Sequence, residues 1–188
     1  MFKKLVFAGL MGLASLSPAH ADGPVRLIIA FPPGGPVDLV GRVLAEQLGK
    51  ELKQQVIVEN KAGANGNIAA AYVAKAPGDG SVLFLTSVGA VAISPALYKD
   101  LPYDPVRDFA PVSRVVNNAT VFVVNPANPA TDAADFVKRS QADKQSVAVG
   151  SSGIGSIPHL TLEMFADASH ANVCLLYTSD AADDTPCV

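Results

Sequence analysis

The chain has 188 residues, 49% apolar and 16% charged, with a formal net charge of −3. That balance excludes intrinsic disorder, which needs low hydrophobicity and high charge, and provides no basic surface for nucleic acid. Trp is absent and aromatics make up 6%, which argues against stacking platforms; the two cysteines, Cys174 and Cys187, fall at the end, and three histidines are too few for a His-rich metal cage.

The chain opens with Lys3 and Lys4, then the uncharged apolar run Leu5 to Leu16, then Ser17-Pro18 and Ala19-His20-Ala21. This is the pattern of a secretory signal peptide cut after Ala21. The run is too short for a membrane anchor, which needs ~20 residues. The mature chain is therefore expected to be exported and soluble.

Val25 to Phe31 is apolar apart from Arg26 and reads as a buried strand, ended by Pro32-Pro33-Gly34-Gly35. Pro36 suits the first turn of a helix. Val37, Val40, Leu44 and Leu48 then form one apolar face, closed by Gly49. Gln55 to Val58 predicts a second strand, and Asn60 to Asn67 a Gly/Asn loop. Ile68 to Ala76 predicts a helix stopped by Pro77-Gly78, and Val82 to Thr86 a third strand. Ser87 to Ala92 is a small-residue loop before a short helix near Pro95 to Tyr98. After the Pro-rich stretch Leu101 to Pro111, Val112 to Val116 and Thr120 to Val124 predict two more strands.

Asn125-Pro126-Ala127-Asn128-Pro129 is a stiff crossing, after which a second α/β unit begins. Thr131 is the expected cap of a helix over Asp132 to Ser140. Ser146 to Val149 predicts a strand, Gly150 to Ser156 a Gly/Ser loop, and Ile157 to Ala168 a helix with Pro158 in its first turn. Strands alternating with helices imply a largely parallel sheet covered on both faces. The expected divisions are 1–21 signal peptide, 22–124 first lobe, 125–130 hinge crossing and 131–172 part of a second lobe, the chain being truncated within it. From Val173 the texture changes: no strand or helix period continues, and residues 173–188 resemble translated adaptor sequence. They are expected to be a non-native tail.

Four loops follow the C-terminal ends of predicted strands: Pro32 to Pro36, Lys61 to Asn67, Ser87 to Val91 and Gly150 to Ser156. In open α/β sheets ligands bind at this edge. Helix N-termini with free amides favour an anion there, and small residues allow close approach. The expected cleft residues are Gly34, Gly35, Asp38, Gly66, Asn67, Ser87, Ser152 and Ser156, with an apolar wall from Phe31 and Val37. Each has a plainer use. Gly34 and Gly35 serve either a tight turn or a ligand, and Asp38 either the helix dipole or a polar contact. Ser151, Ser152 and Ser156 are either caps or contacts. His159, in the first turn of its helix, faces the loop or serves structure. For catalysis, Gly150-Ser151-Ser152-Gly153 lacks nucleophile-elbow spacing. A secreted hydrolase using Ser152 and His159 remains the alternative.

Four stretches, in this order behind a signal peptide, resemble one family: Phe31-Pro32-Pro33-Gly34-Gly35-Pro36-Val37-Asp38; Val58 to Ile68 with Gly63-Ala64-Asn65-Gly66-Asn67; Pro77-Gly78-Asp79-Gly80; and Gly150 to Leu160. The resemblance is to the periplasmic solute receptors of tripartite tricarboxylate transporters, the Bug or TctC group, and covers nearly all of Asp22 to Asn172. It implies a periplasmic binding protein of type II topology, with one nearly complete lobe and part of a second. It implies a monomer without cofactor or metal that closes on a small organic carboxylate and delivers it to membrane permease subunits. Phe31, Gly34, Gly35, Asp38, Gly63, Gly66, Asn67, Ser87, Ser151, Ser152, Ser156 and His159 are the ligand-binding positions implied. Pro36-Val37 departs from the pattern, since members often carry small polar residues there, and a hydroxyl contact is lost. Length departs too: a whole member has roughly 300 residues, the size of two domains.

Overall fold

A computed structural model describes residues 23–143 and 145–177. The expected signal peptide and the chain beyond residue 177 lie outside the described residues. Strand β1 (Val25–Ile29) leads into helix α1 (Pro36–Leu52), then β2 (Val56–Asn60), helix α2 (Asn67–Val73) and β3 (Val82–Leu85). The three strands form one parallel sheet in the order β2-β1-β3, with Leu27 opposite Val58 and Leu83. The crossover from β1 to β2 runs one way across the sheet and that from β2 to β3 runs back over β1. Right-handed crossovers therefore put α1 and α2 on opposite faces.

Burial in β1 follows from that arrangement. Leu27 and Ile29 point to one face and pack with Ala45 of α1 and Leu85. Ile28 and Ala30 point to the other and pack with Ala69 of α2. Full burial of each large aliphatic side chain contributes roughly 1.5–3 kcal/mol, and β1 is the one strand of this sheet covered on both faces and both edges. Gly41 of α1 sits directly on Ile29, where a Cβ would lie 2.3 Å from its Cδ1. Helix α1 and the sheet thus approach closely because that position has no side chain. Arg26 pairs with Glu59 of β2 at 2.5 Å and donates to the Tyr72 hydroxyl of α2 at 2.5 Å, tying strand, strand and helix together.

After β3 comes a π-helical turn over Gly89–Ile93 and the short helix α3 (Ser94–Leu97). Tyr103 is buried beneath them with Ala70 and Ala90, and Phe109 packs on Phe84. The predicted strands over 112–116 and 120–124 do not form: residues 110–124 have no strand pairing and are exposed throughout. Their β-branched residues satisfy the local preference for strand, but a strand exists only where another chain segment takes up its hydrogen bonds. Phe122 anchors this segment, packing edge-on to Phe136 and beside Phe165.

The second unit holds helix α4 (Ala133–Ala142), β4 (Val147–Ser151), α5 (Ile157–Ser169) and β5 (Val173–Tyr177), with β4 and β5 parallel in a separate two-stranded sheet. Two expectations are corrected here. The cap of α4 is Asp132, whose backbone is extended and whose Oδ1 accepts the Asp135 N–H at 2.8 Å, rather than Thr131. Residues 173–177, read as having no strand period, form a strand that pairs in register with β4 and buries Cys174. Its Val-Cys-Leu-Leu run is the apolar pattern of a parallel strand, obscured by the polar residues that follow it.

Candidate functional site

Because β1, β2 and β3 are parallel, the loops 32–36, 61–67 and 87–91 leave the sheet at the same edge. Direct contacts join them. The Lys61 N–H donates to the Ile29 carbonyl at 2.8 Å. Asn60 Nδ2 donates to the Phe31 carbonyl at 3.0 Å and to Asp38 Oδ1 at 2.9 Å. Gly66, at φ +95°, lies where the chain leaves β1 and β3: a Cβ there would stand 3.2 Å from Ala30 Cβ, 3.3 Å from Thr86 Oγ1 and 3.4 Å from Ala90 Cβ. Its positive φ and its tight surroundings both require glycine.

Asp38 is 2% exposed, the most deeply placed charge of the first unit. Its Oδ2 accepts from the Gly34 N–H at 2.9 Å and from Arg42 Nε at 2.8 Å, while Oδ1 accepts from Asn60. Hydrogen bonding by Arg42 first, then Gly34 and Asn60, holds its carboxyl well below the usual carboxylate range. The group is thus an internal brace. It folds the 32–36 loop back on the first turn of α1, as a residue at the third helical position does in a capping box. Within that turn Pro36 has no N–H, and the Val37 and Asp38 amides have no intrahelical carbonyl. Beside them Gly34, at φ +81°, is exposed and has open space where a Cβ would be.

Other expected positions divide the same way. Phe31 is half-buried and packs against both core clusters, so its ring belongs partly to the core. Gly63, at φ +121°, seats Ile68, whose Cδ1 would lie 2.6 Å from a Cβ. Asn67 accepts from the buried Tyr103 hydroxyl at 2.7 Å. Ser87 Oγ receives the Gly89 N–H at 3.3 Å. In the 150–156 loop Ser151 and Ser156 are buried, and their hydroxyls accept the N–H groups of Gly153 and His159. Ser152 is exposed. His159 does face the loop: its Nδ1 accepts the Gly155 N–H at 2.9 Å, and Nε2 lies 3.7 Å from Glu163 Oε1. The loop itself reaches the first unit, where Asn65 Nδ2 donates to the Gly155 carbonyl at 2.6 Å.

Sequence reasoning missed Asn60, Asn65 and Tyr103. Asn65-Gly66 did signal a left-handed turn, and Asn65 has φ +52°. Tyr103 and Asn60 left no local signal, since their partners lie 13 to 36 residues away. Two open surface hollows lie elsewhere, one along Arg42, Glu46 and Gln54, the other along Arg26, Tyr72 and Lys75. Neither gathers loop amides. Among the described residues no group of His, Cys, Asp or Glu could hold a metal ion.

Comparison with known proteins supplies the family. The model of the tripartite tricarboxylate transporter family receptor matches residues 40–181. Protein BugT of Bordetella pertussis is 36% identical over 165 residues, covering 85% of this chain and 50% of that protein. An R. palustris protein solved with adipate has a TM-score of 0.70 at 28% identity, over 83% of this chain and 52% of that one. MatC from Rhodopseudomonas palustris, with bound malate, has a TM-score of 0.66 at 25% identity, over 83% and 53%. The chain spans about half the length of the curated relatives it matches, 46% and 50% for two of them.

Proposed function

This chain belongs to the tripartite tricarboxylate transporter receptor family, and on that premise we propose that it forms part of a periplasmic receptor that captures a small organic carboxylate. The family is one of receptors, so the hydrolase alternative with Ser152 and His159 is set aside. The observation that carries the reading is the gathering of loops 32–36, 61–67 and 87–91 at one sheet edge, with the first amides of α1 beside the open Gly34. Such amides suit a carboxylate without needing a Lys or Arg. The adipate and malate held by two relatives fit that chemistry.

In this reading Gly34, Gly35 and Ser87 approach the ligand from the first lobe and Ser152 from the second. Phe31 supplies an apolar wall. Asp38, Asn67, Ser151, Ser156 and His159 hold the loops in place. The first lobe is assigned to 22–124, the crossing to 125–130, and the second lobe starts at 131. Export through the N-terminal segment and delivery to membrane permease subunits complete the proposal, with the receptor acting as a monomer. No helix among the described residues is long and apolar enough to cross a membrane. Calorimetric titration with adipate, malate and citrate, set against glucose and inorganic phosphate, tests it. Heat from a carboxylate is expected; binding of the sugar with no carboxylate response would refute it.

A further inference from the structure

We infer that Asn65 is a positioning residue that fastens the 150–156 loop of the second unit onto the first, and thereby sets how long a bound carboxylate stays. The inference rests on the receptor reading above. Asn65 occupies the left-handed region at φ +52°, directly after Ala64 at φ +46°. Two consecutive non-glycine residues in that region are costly, and Asn is among the few side chains that tolerate it. What the conformation achieves is the aim of the carboxamide. Its Nδ2 meets the Gly155 carbonyl at 2.6 Å, across 90 residues of sequence.

The surroundings are shaped to that amide. Opposite it stands Gly89, where a Cβ would lie 2.4–2.9 Å from the Asn65 carboxamide atoms, so the amide fits only over a glycine. Gly155 is itself at φ +74°, and a Cβ there would lie 2.9 Å from Leu97 Cδ1. Both polar groups of Gly155 are used: its carbonyl accepts from Asn65 and its N–H donates to His159 Nδ1 at 2.9 Å. Three loops, from β2, β3 and β4, therefore meet at one side-chain amide.

A latch of this kind acts on the equilibrium between open and closed arrangements. Apparent affinity is intrinsic affinity scaled by the fraction of molecules in the competent arrangement. One neutral hydrogen bond corresponds to roughly a two- to tenfold change in that equilibrium. The contact forms without ligand, and a bound ligand leaves only while it is open, so the change appears in the dissociation rate.

The test uses the full chain, with adipate and malate as probes, and two variants. Asn65→Gly keeps the left-handed backbone and removes the amide; Asn65→Asp keeps the size and sets an acceptor against the Gly155 carbonyl. Hydrogen exchange of residues 150–159 is measured without ligand, and association and dissociation rates by stopped flow. The expected result is faster exchange over 150–159 in both variants. Dissociation should be roughly two- to tenfold faster in Asn65→Gly, and more so in Asn65→Asp, with association unchanged. A merely conformational role predicts wild-type behaviour for Asn65→Gly and would overturn the latch. So would weakened binding with unchanged ligand-free exchange, which marks a direct ligand contact. If neither probe binds the wild-type chain, the receptor reading falls and the exchange comparison alone decides for or against the latch.

Discussion

Asp38 shows how a charge with a function-like position can be spent on architecture. Its carboxylate is buried and bound by Gly34, Arg42 and Asn60. Asp38→Asn replaces one acceptor oxygen by a donor facing other donors, so the 32–36 loop should loosen while α1 persists. Carboxylate binding should fall, with the circular dichroism of the folded chain nearly unchanged. The pH dependence has a definite sign. A carboxyl whose folded pKa lies below its unfolded value of ~3.9 contributes its full stability above that value, and loses it as pH falls toward the folded pKa. Acid unfolding should therefore move to higher pH in Asp38→Asn, read by a pH titration of the folded fraction. At Gly66 the expectation is stability rather than binding chemistry. Gly66→Ala meets both a left-handed φ and three neighbours within 3.4 Å, and should cost about 1–3 kcal/mol in denaturant unfolding.

At the scale of elements, β1 to β3 and α1 were legible because their cues are local and agree: apolar runs, Pro at the helix start, Gly at the turns. The segment 112–124 was not. Residues 112–124 carry the β-branched pattern of strands but no partner, and partnership is a property of the fold. β5 was lost in the opposite way, its apolar run passed over because of its polar C-terminal company. For the candidate site, small residues marked loops that the parallel strands bring to one sheet edge. The sequence could not tell which polar side chains would be consumed by the loops themselves, since Asn60 and Tyr103 reach them from afar. The exposed segment 112–124 yields a prediction of its own. Phe122 is its anchor through Phe136 and Phe165, and such aromatic pairs are worth ~0.5–1.5 kcal/mol each. Limited proteolysis should cut first within 112–124, and faster in Phe122→Ala. Equal rates would mean that the aromatic contacts do not hold the segment.

Among the described residues two parallel sheets are connected through the exposed chain after residue 110, with the Asn65 contact reaching from one unit to the other, and the chain spans about half of its relatives' length. Enclosure by two lobes excludes water and strengthens each polar contact to the ligand. Among the described residues the second sheet holds β4 and β5; the 188-residue chain should bind more weakly than a relative of full length, by roughly tenfold for each ~1.4 kcal/mol of lost contact. The most direct test of the central claim is one calorimetric series on this chain and on a full-length relative, with adipate and malate against glucose and phosphate. The account predicts carboxylate heats in both, weaker in this chain, and none from glucose. Glucose binding without a carboxylate response, in either protein, would contradict it.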